Sequence, residues 1–430
     1  MKIFKNPPRE EWSSICERPQ LELSFLESSV RNVMNRVKNS GDNALREITL
    51  QFDKVELTDI QASKAEIADA EKAISSELKT AIHAAAKNVE TFHAAQRRDI
   101  LKVETMPGVN CWRKGVPIDK VGIYIPGGTA PLFSTVLMLG IPAKLAGCSE
   151  IVLCTPPDKN GAINPAILYT ASLVGVTKIF KLGGAQAIAA MAYGTESVPA
   201  VYKIFGPGNQ YVTKAKQLIS EEGVAIDMPA GPSEVLVLAD ETARPSFIAA
   251  DLLSQAEHGE DSQVVLVLLN ETILDDVKSE IERQLEKLPR KSIAAKALAH
   301  SRVVITGSIT DALDFVNEYA PEHLIINTAN AETITEKVRN AGSVFLGNYS
   351  PEAIGDYASG TNHTLPTNGY ARAYAGVSLE SFMKFITYQQ LTKEGLMTLG
   401  PVVEKMAEAE QLHAHKFAVS VRLAEINQQQ

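Results

Sequence analysis

The chain has 430 residues, enough for two or three domains each with its own core. Its composition, 45% hydrophobic and 22% charged, is ordinary for a soluble globular protein. A net charge of -9 without a long Lys/Arg run argues against a nucleic-acid surface, and it favours a cationic small molecule over an anionic one.

The chain opens with MKIFKNPPREEW, where two prolines and several charged side chains replace the apolar run of a signal peptide. No stretch approaches a membrane span, so the expectation is a cytoplasmic protein with reduced thiols. Cys16, Cys111, Cys148 and Cys154 have neither metal spacing nor a disulfide framework. Cys148 and Cys154 flank the strand-like SEIVL and read as buried small side chains, since a nucleophilic thiol needs an electropositive, His-bearing setting. From about Ser24 to Arg98 the pattern is helical, rich in Ala, Lys and Glu. His83 and His93 in this region lack acidic company and are assigned to packing or surface.

From about Val121 short β-rich runs alternate with helices. The runs are VGIYIP, EIVLCTP, TKIFKLG and VYKIFG, then EVLVLA, QVVLVLL, RVVITG, HLIINT and SVFLGN. Near-continuous Val, Ile and Leu suits parallel strands covered on both faces. So many strands predict an α/β architecture with two sheets. IDMPAGPSE, residues 226–234, is a Pro/Gly crossing between the two groups and a natural domain junction. Residues 347–378 show no sustained period, and a loop that long within a domain is usually functional. The remaining residues predict two helices, the first capped by Ser378 and the second starting with Pro401.

Three glycine-bearing turns, GGTAPL, GGAQAI and GPGNQY, each stand between a strand and a helix. Such turns can aim backbone N–H groups and a helix N-terminus at a phosphate. They are also common α/β architecture, and neither a dinucleotide GxGxxG nor a P-loop fingerprint is present. Three in one strand group tilt the reading towards a dinucleotide or phosphate ligand. In DLLSQAEHG, Gln255 and His258 share one face of a helix end, with Gly259 marking the terminus. A cation is welcome there because the dipole is negative. Asp356 and His363 in the long loop, and Glu410, His413 and His415 on the last helix, complete a thiolate-free pool of ligands suited to Zn²⁺. Each alone is as consistent with a solvated surface. APEHLII sets Glu322 and His323 at a strand entry, where neighbouring side chains point different ways and each can handle a different proton; a solvated strand start is an equal reading. On a regular helix Glu410 shares a face with His413 rather than His415.

Taken together, VGIYIPGGTAPLFSTVLMLGIPAKLAGC, KLGGAQAIAAMAYGT, KIFGPGNQYVTKAK, IDMPAGPSEVLVLAD, DLLSQAEHG, APEHLII and GDYASGTNHTLPT closely resemble the histidinol dehydrogenases, in order and over nearly the whole chain. The resemblance implies oxidation of L-histidinol to L-histidine, the last step of histidine biosynthesis, with two NAD used in turn and one Zn²⁺ per subunit. It implies Gln255, His258, Asp356 and His415 as zinc ligands and Glu322 with His323 as the acid/base pair. Ser233 and Glu410 would bind histidinol together with the metal ligands and His323. Tyr124, Gln186 and Asn209 would contact NAD. The implied fold has two Rossmann-like parallel-sheet domains plus a small helical C-terminal domain in an intertwined homodimer with shared sites. Its parts are an arm (1–22), a discontinuous α/β domain (23–124 and 230–376), an NAD domain (125–229) and a C-terminal domain (377–430). In that alignment His415 rather than His413 is the ligand. Two other classes compete: a zinc-dependent hydrolase of a small amine-bearing substrate, which leaves the glycine turns idle, and a two-lobed binding protein, which leaves Glu322 and His323 idle.

Overall fold

Strands at Lys120–Tyr124, Glu150–Thr155, Lys178–Lys181, Lys203–Phe205 and Ala225–Ile226 form an all-parallel sheet. Their spatial order is third, second, first, fourth, fifth, so the chain reverses direction across the sheet between the first and fourth strands. In open α/β sheets this switch point, at the carboxyl ends of the strands, is where ligands bind. The strand Glu150–Thr155 shows why the sheet is buried on both sides. Ile151 and Leu153 enter one apolar layer while Val152 and Cys154 enter the other, as the period of two requires. The helices that supply these layers carry local start and stop signals. Asn164 caps Pro165–Val174 by accepting from the Ala166 N–H, and left-handed Gly175 ends it.

The coordinates are a computed structural model, which describes residues 1–19, 26–127, 131–229 and 231–428. The end of the predicted N-terminal arm, Ser24, residues 128–130 of the first glycine turn and Ala230 of the crossing lie outside them. A second parallel sheet contains Lys2–Lys5, Glu234–Ala239, Gln263–Leu268, Arg302–Ile305, His323–Asn327 and Ser343–Leu346, in the spatial order first, fourth, third, second, fifth, sixth. All nine strands read from the sequence therefore form, in two parallel sheets. Again the faces alternate: Val235 and Val237 belong to one core layer and Leu236 and Leu238 to the other. Each such side chain contributes about 1.5–3 kcal/mol when fully buried. The edge strand Lys2–Lys5 was not expected; four residues with a lysine at each end carry little strand signal.

These sheets belong to the larger of two compact units, Met1–Gln96 with Ile118–Phe382. The predicted N-terminal helical region comprises Leu26–Phe52, broken by a kink at Gly41, then Lys64–Ala73 and Ser76–Ala94. A capping box between Ser63 and Glu66 opens Lys64–Ala73. His93 is buried, with Nδ1 2.9 Å from the Val89 carbonyl, as a packing histidine should be. Cys154 is fully buried and Cys148 partly so, and all four cysteines are free. Burial pushes the Cys148 thiol up to about 12, which removes it as a nucleophile at neutral pH.

The smaller unit is Arg97–Pro117 with Met383–Gln430, and here the sequence reading needs correction. Met383–Leu391, expected to be helical, is a strand paired antiparallel with Val109–Pro117. Its Phe-Ile-Thr-Tyr run favours a pleated surface over a helix, and a 3-10 turn at Leu379–Phe382 replaces the helix start predicted at Ser378. Thr392, not Pro401, begins the next helix, Lys393–Ala409, which carries Pro401 in its interior. The chain then turns at Gln411, whose φ of 60 is left-handed, before the helix His413–Gln428. Glu410 and His415 are thus on opposite sides of a helix break, and the shared-face argument that paired Glu410 with His413 does not apply. Among the described residues, no helix is long and apolar enough to cross a membrane.

Candidate active site

The helix Pro245–Ala256 follows the strand Glu234–Ala239 and runs back across the sheet to the end where the strands begin. That return brings Gln255 and His258 to the entry of the neighbouring strand His323–Asn327, where Glu322 and His323 stand. The third contributor is a short helix, Glu352–Tyr357, inside the segment read as a loop. It sets Glu352 and Asp356 four residues apart on one face. Ligand atoms of His258, Glu352 and Asp356 lie within 4.8 Å of one another.

His323 is ringed by carboxylates. Its Nδ1 is 3.6 Å from Glu322 Oε2 and 3.6 Å from Glu352 Oε1, and its Nε2 is 3.6 Å from Asp356 Oδ1. Nδ1 also lies 3.3 Å from the Glu234 carbonyl oxygen, an acceptor that favours the tautomer with the proton on Nδ1. Nε2, the other ring nitrogen, is buried without a hydrogen-bond partner. The Gln255 amide is satisfied at both ends when its nitrogen donates to the Glu352 carboxylate and its oxygen accepts from the Glu234 N–H at 3.2 Å. Gln255 is therefore one link behind the cluster, and Glu352, which sequence reasoning missed, stands within it. The proline and glutamate of SPEAIGDY were a helix-start signal, overlooked inside a glycine-rich segment.

Burial dominates the electrostatics. It pushes the Glu322 carboxyl up to about 8, with His323 pulling the other way. It pushes Glu352 and Asp251 each up to about 7. Burial opposes the charged form of His323, but Glu352, Glu322 and Asp356 outweigh it and hold the ring proton well above the usual imidazole value. Desolvation pulls His258 down, towards the neutral form that ligates metal. Burial opposes ionisation of Asp356 too, yet His323, His363 and His258 keep it below the ordinary carboxylate range. His363 has both ring nitrogens occupied, Nδ1 2.8 Å from the Asp356 carbonyl and Nε2 3.0 Å from Thr135 Oγ1. It buttresses the short helix.

A buried clamp holds the strand entry from behind. The Glu322 N–H donates to Glu234 Oε1 at 3.2 Å, while the Glu234 N–H donates to Glu322 Oε2 at 2.9 Å. Arg18 grips the Glu234 carboxylate through Nε at 2.5 Å and Nη2 at 3.0 Å, and also donates to the Tyr319 carbonyl. Glu234 is 2% exposed and Arg18 10% in their side chains, so loss of one partner strands a buried charge. Arg18→Met is expected to lower unfolding stability by about 3–5 kcal/mol, read from denaturant titrations. The partners stand 216 positions apart, so the pair left no local signal in the sequence.

One cavity adjoins these residues, and a second shares Asn209 with it. The first, of about 850 Å³, is lined by Ser233, His258, Glu322, His363 and Asn209. The other, of about 1330 Å³, opens at the switch point of the first sheet, over Tyr124, Gly183, Gly184 and Gln186, and Asn209 lines it as well. Tyr124 accepts from the Gly184 N–H at 3.0 Å, and Asn209 caps the helix Gln210–Glu221 by accepting from the Tyr211 and Val212 N–H groups. Gly206 in the third turn has a φ of 119, and a Cβ there would lie 2.1 Å from the Tyr124 carbonyl oxygen; only glycine fits. The buried pair Lys216 and Asp227 fixes that turn, Lys216 bonding the Gly206 carbonyl and Asp227 its N–H. Of the first glycine turn, Gly127 lines the larger cavity. Glu410 and His415 are exposed on the smaller unit.

The family described as histidinol dehydrogenase matches residues 16–423. The histidinol dehydrogenase of Bacteroides fragilis is 61% identical over 426 residues, 99% of this chain and 100% of that protein. The chloroplastic histidinol dehydrogenase of Arabidopsis thaliana is 54% identical over 97% of this chain and 90% of that one. A crystal structure of histidinol dehydrogenase from Elizabethkingia anophelis shares 59% identity and superposes with a TM-score of 0.98, covering 99% of each chain. With this similarity running from end to end, the chain belongs to the histidinol dehydrogenase family.

Proposed function

We propose that the chain oxidises L-histidinol to L-histidine through a bound aldehyde, using one zinc ion per subunit and two NAD in turn. The observation that carries this reading is the pair of cavities sharing Asn209, one lined by His258 and Glu322, the other suited to a dinucleotide. At about 1330 Å³ the larger exceeds the roughly 300–1,000 Å³ of ordinary small-molecule pockets. Helix N-termini at Gly184 and Gln210 stand beside it. The imidazole and carboxylates of His258, Glu352 and Asp356 form a thiolate-free donor set that suits Zn²⁺.

Zinc would be held by His258 and Asp356, joined by the Gln255 oxygen after its amide turns from Glu234, and by His415 from a second copy. When bound, zinc anchors the amine and imidazole of histidinol, and NAD takes two electrons in each oxidation. With zinc offsetting the carboxylates that otherwise keep its ring protonated, His323, steadied at Nδ1 by the Glu234 carbonyl, would take the hydroxyl proton at Nε2. Glu322 takes the proton of the water that adds to the aldehyde. Keeping the aldehyde bound through both steps protects it from side reactions. Ser233 and Glu410 bind the substrate, and Tyr124, Gln186 and Asn209 hold the dinucleotide. In this reading residues 125–229 carry NAD, residues 23–124 with 230–376 carry most of the zinc and acid/base groups, and residues 377–430 reach across an intertwined homodimer. The enzyme works in the cytoplasm.

Metal-loaded protein given histidinol and excess NAD⁺ is expected to form two NADH per histidinol. A yield of one, or none, overturns the proposal. Mixed dimers of His415→Ala and His258→Ala chains should recover part of the activity each lacks alone; verified heterodimers without recovery would refute shared sites. A zinc hydrolase would leave the larger cavity without an occupant.

A further inference from the structure

The larger cavity has a carboxylate that the fold does not explain. Asp53 lies one residue past the helix Leu26–Phe52, and its N–H closes that helix on the Thr49 carbonyl. A negative charge is unfavourable at this end of the dipole. One carboxylate oxygen, Oδ2, is buried without a hydrogen-bond partner, and burial pushes the carboxyl above its ordinary range. Among the described residues no donor meets that oxygen, yet Asp53 lines the cavity.

The topology says which end of a dinucleotide it would meet. Asn209 follows the fourth strand and lines both cavities, so the reacting end lies on that side. The other half of a nucleotide then lies over the second strand, Glu150–Thr155, on the opposite side of the first. Asp53 is on that far side. A Cβ on Gly161, in the loop after the second strand, would lie 3.6 Å from Val55 and 3.8 Å from Leu57. A few residues on, Lys181 of the third strand donates its N–H to the Ile60 carbonyl. In dinucleotide-binding sheets an acid in this quarter accepts from the adenosine ribose.

Among the described residues, two other charged side chains line the cavity, and neither competes for that role. Asp158 follows the second strand, but its Oδ1 already accepts from the Asn160 and Ala162 N–H groups. Arg36 is engaged by Gln51 Oε1 at 3.2 Å and Glu47 Oε2 at 3.1 Å. An adenosine 2′-phosphate would therefore meet two carboxylates and a cation already paired. We propose that Asp53 accepts a hydrogen bond from the adenosine ribose 2′-hydroxyl and excludes a 2′-phosphate, making it the residue that selects NAD over NADP. This rests on the use of NAD proposed above.

The test uses the full chain loaded with metal. Calorimetry with ADP-ribose and 2′-phospho-ADP-ribose reads the cavity without turnover, and histidinol oxidation with NAD⁺ or NADP⁺ reads it in the reaction. Asp53→Asn and Asp53→Ser are expected to weaken ADP-ribose by about 10-fold to 100-fold, the loss of a hydrogen bond to a charged group. The ADP-ribose to 2′-phospho-ADP-ribose affinity ratio should narrow by a similar factor, and the NAD⁺ to NADP⁺ ratio of kcat/KM with it. Asp158→Asn should leave both ratios near wild type. Unchanged ratios in folded Asp53 variants that still make NADH overturn the assignment while leaving NAD use intact. So does weaker ADP-ribose binding with an unchanged ratio, which would place Asp53 on a base amine instead. A wild-type protein that binds neither probe and makes no NADH removes the parent reading, and this one with it.

Discussion

Glu322→Gln is expected to slow oxidation of the aldehyde by about 10²–10⁴-fold, the usual range for a lost general base, while alcohol oxidation falls far less. The distinction follows from geometry. The Glu322 side chain is anchored by the Glu234 N–H at 2.9 Å, a bond that a Gln oxygen can still accept, so the fold and the Glu234 clamp should persist. What the amide cannot do is take a proton from water. His323 is untouched and retains its own contact with the Glu234 carbonyl. Burial pushes the Glu322 carboxyl up to about 8, so its ionised form gains population as pH rises towards that value. Aldehyde oxidation by the unaltered chain should climb with pH through that window, and the Gln variant should lose the climb. Single-turnover rates measured separately with histidinol and with the aldehyde decide the matter. Equal losses in both half-reactions would show that Glu322 serves the two steps alike.

His258→Ala or Asp356→Ala is expected to abolish zinc binding and turnover together. Ligand atoms of these two residues and Glu352 lie within 4.8 Å of one another, and removing either leaves carboxylates facing one another around His323. Partners outside the coordination shell typically command about 10–100-fold in metal affinity, and loss of a ligand should exceed that. Glu352→Gln separates the two roles. If Glu352 only orients the Gln255 amide and His323, its variant should retain zinc with about 10–100-fold weaker affinity; a complete loss would make it a ligand. Metal content per chain, measured after dialysis alongside NADH formation, gives both results. A His258→Ala or Asp356→Ala protein with full zinc content would refute the ligand assignment. Cys154→Ala, at a fully buried thiol in the core of the first sheet that is no part of the ligand cluster, should keep its metal and its turnover.

Local patterns carried much of the architecture. Runs of Val, Ile and Leu named nine of the eleven described strands of the two parallel sheets because strands covered on both faces need apolar side chains at successive positions. The three-residue spacing of Gln255 and His258 suggested a shared helix face, but the helix ends at Ala256, so His258 reaches the cluster from beyond the helix end and Gln255 from its last turn. Residues 383–391 misled because composition alone weighed against a strand whose partner lies more than 260 residues earlier in the chain. Glu352 was hidden because a six-residue helix in a glycine-rich segment has too few turns to show a period.

Composition and periodicity by themselves determined the fold class, and the long run of family motifs pointed to the activity. Both depend on short-range rules: which side chains bury on which face, and which turns need glycine. The tertiary structure alone decided that Arg18 secures Glu234, that Glu352 joins His258 and Asp356, and that Asp53 is left without a partner in the larger cavity. Those relations join residues far apart in the chain. They exist because buried charges must find partners or a ligand, and which groups share a dry space is settled only when the chain has folded.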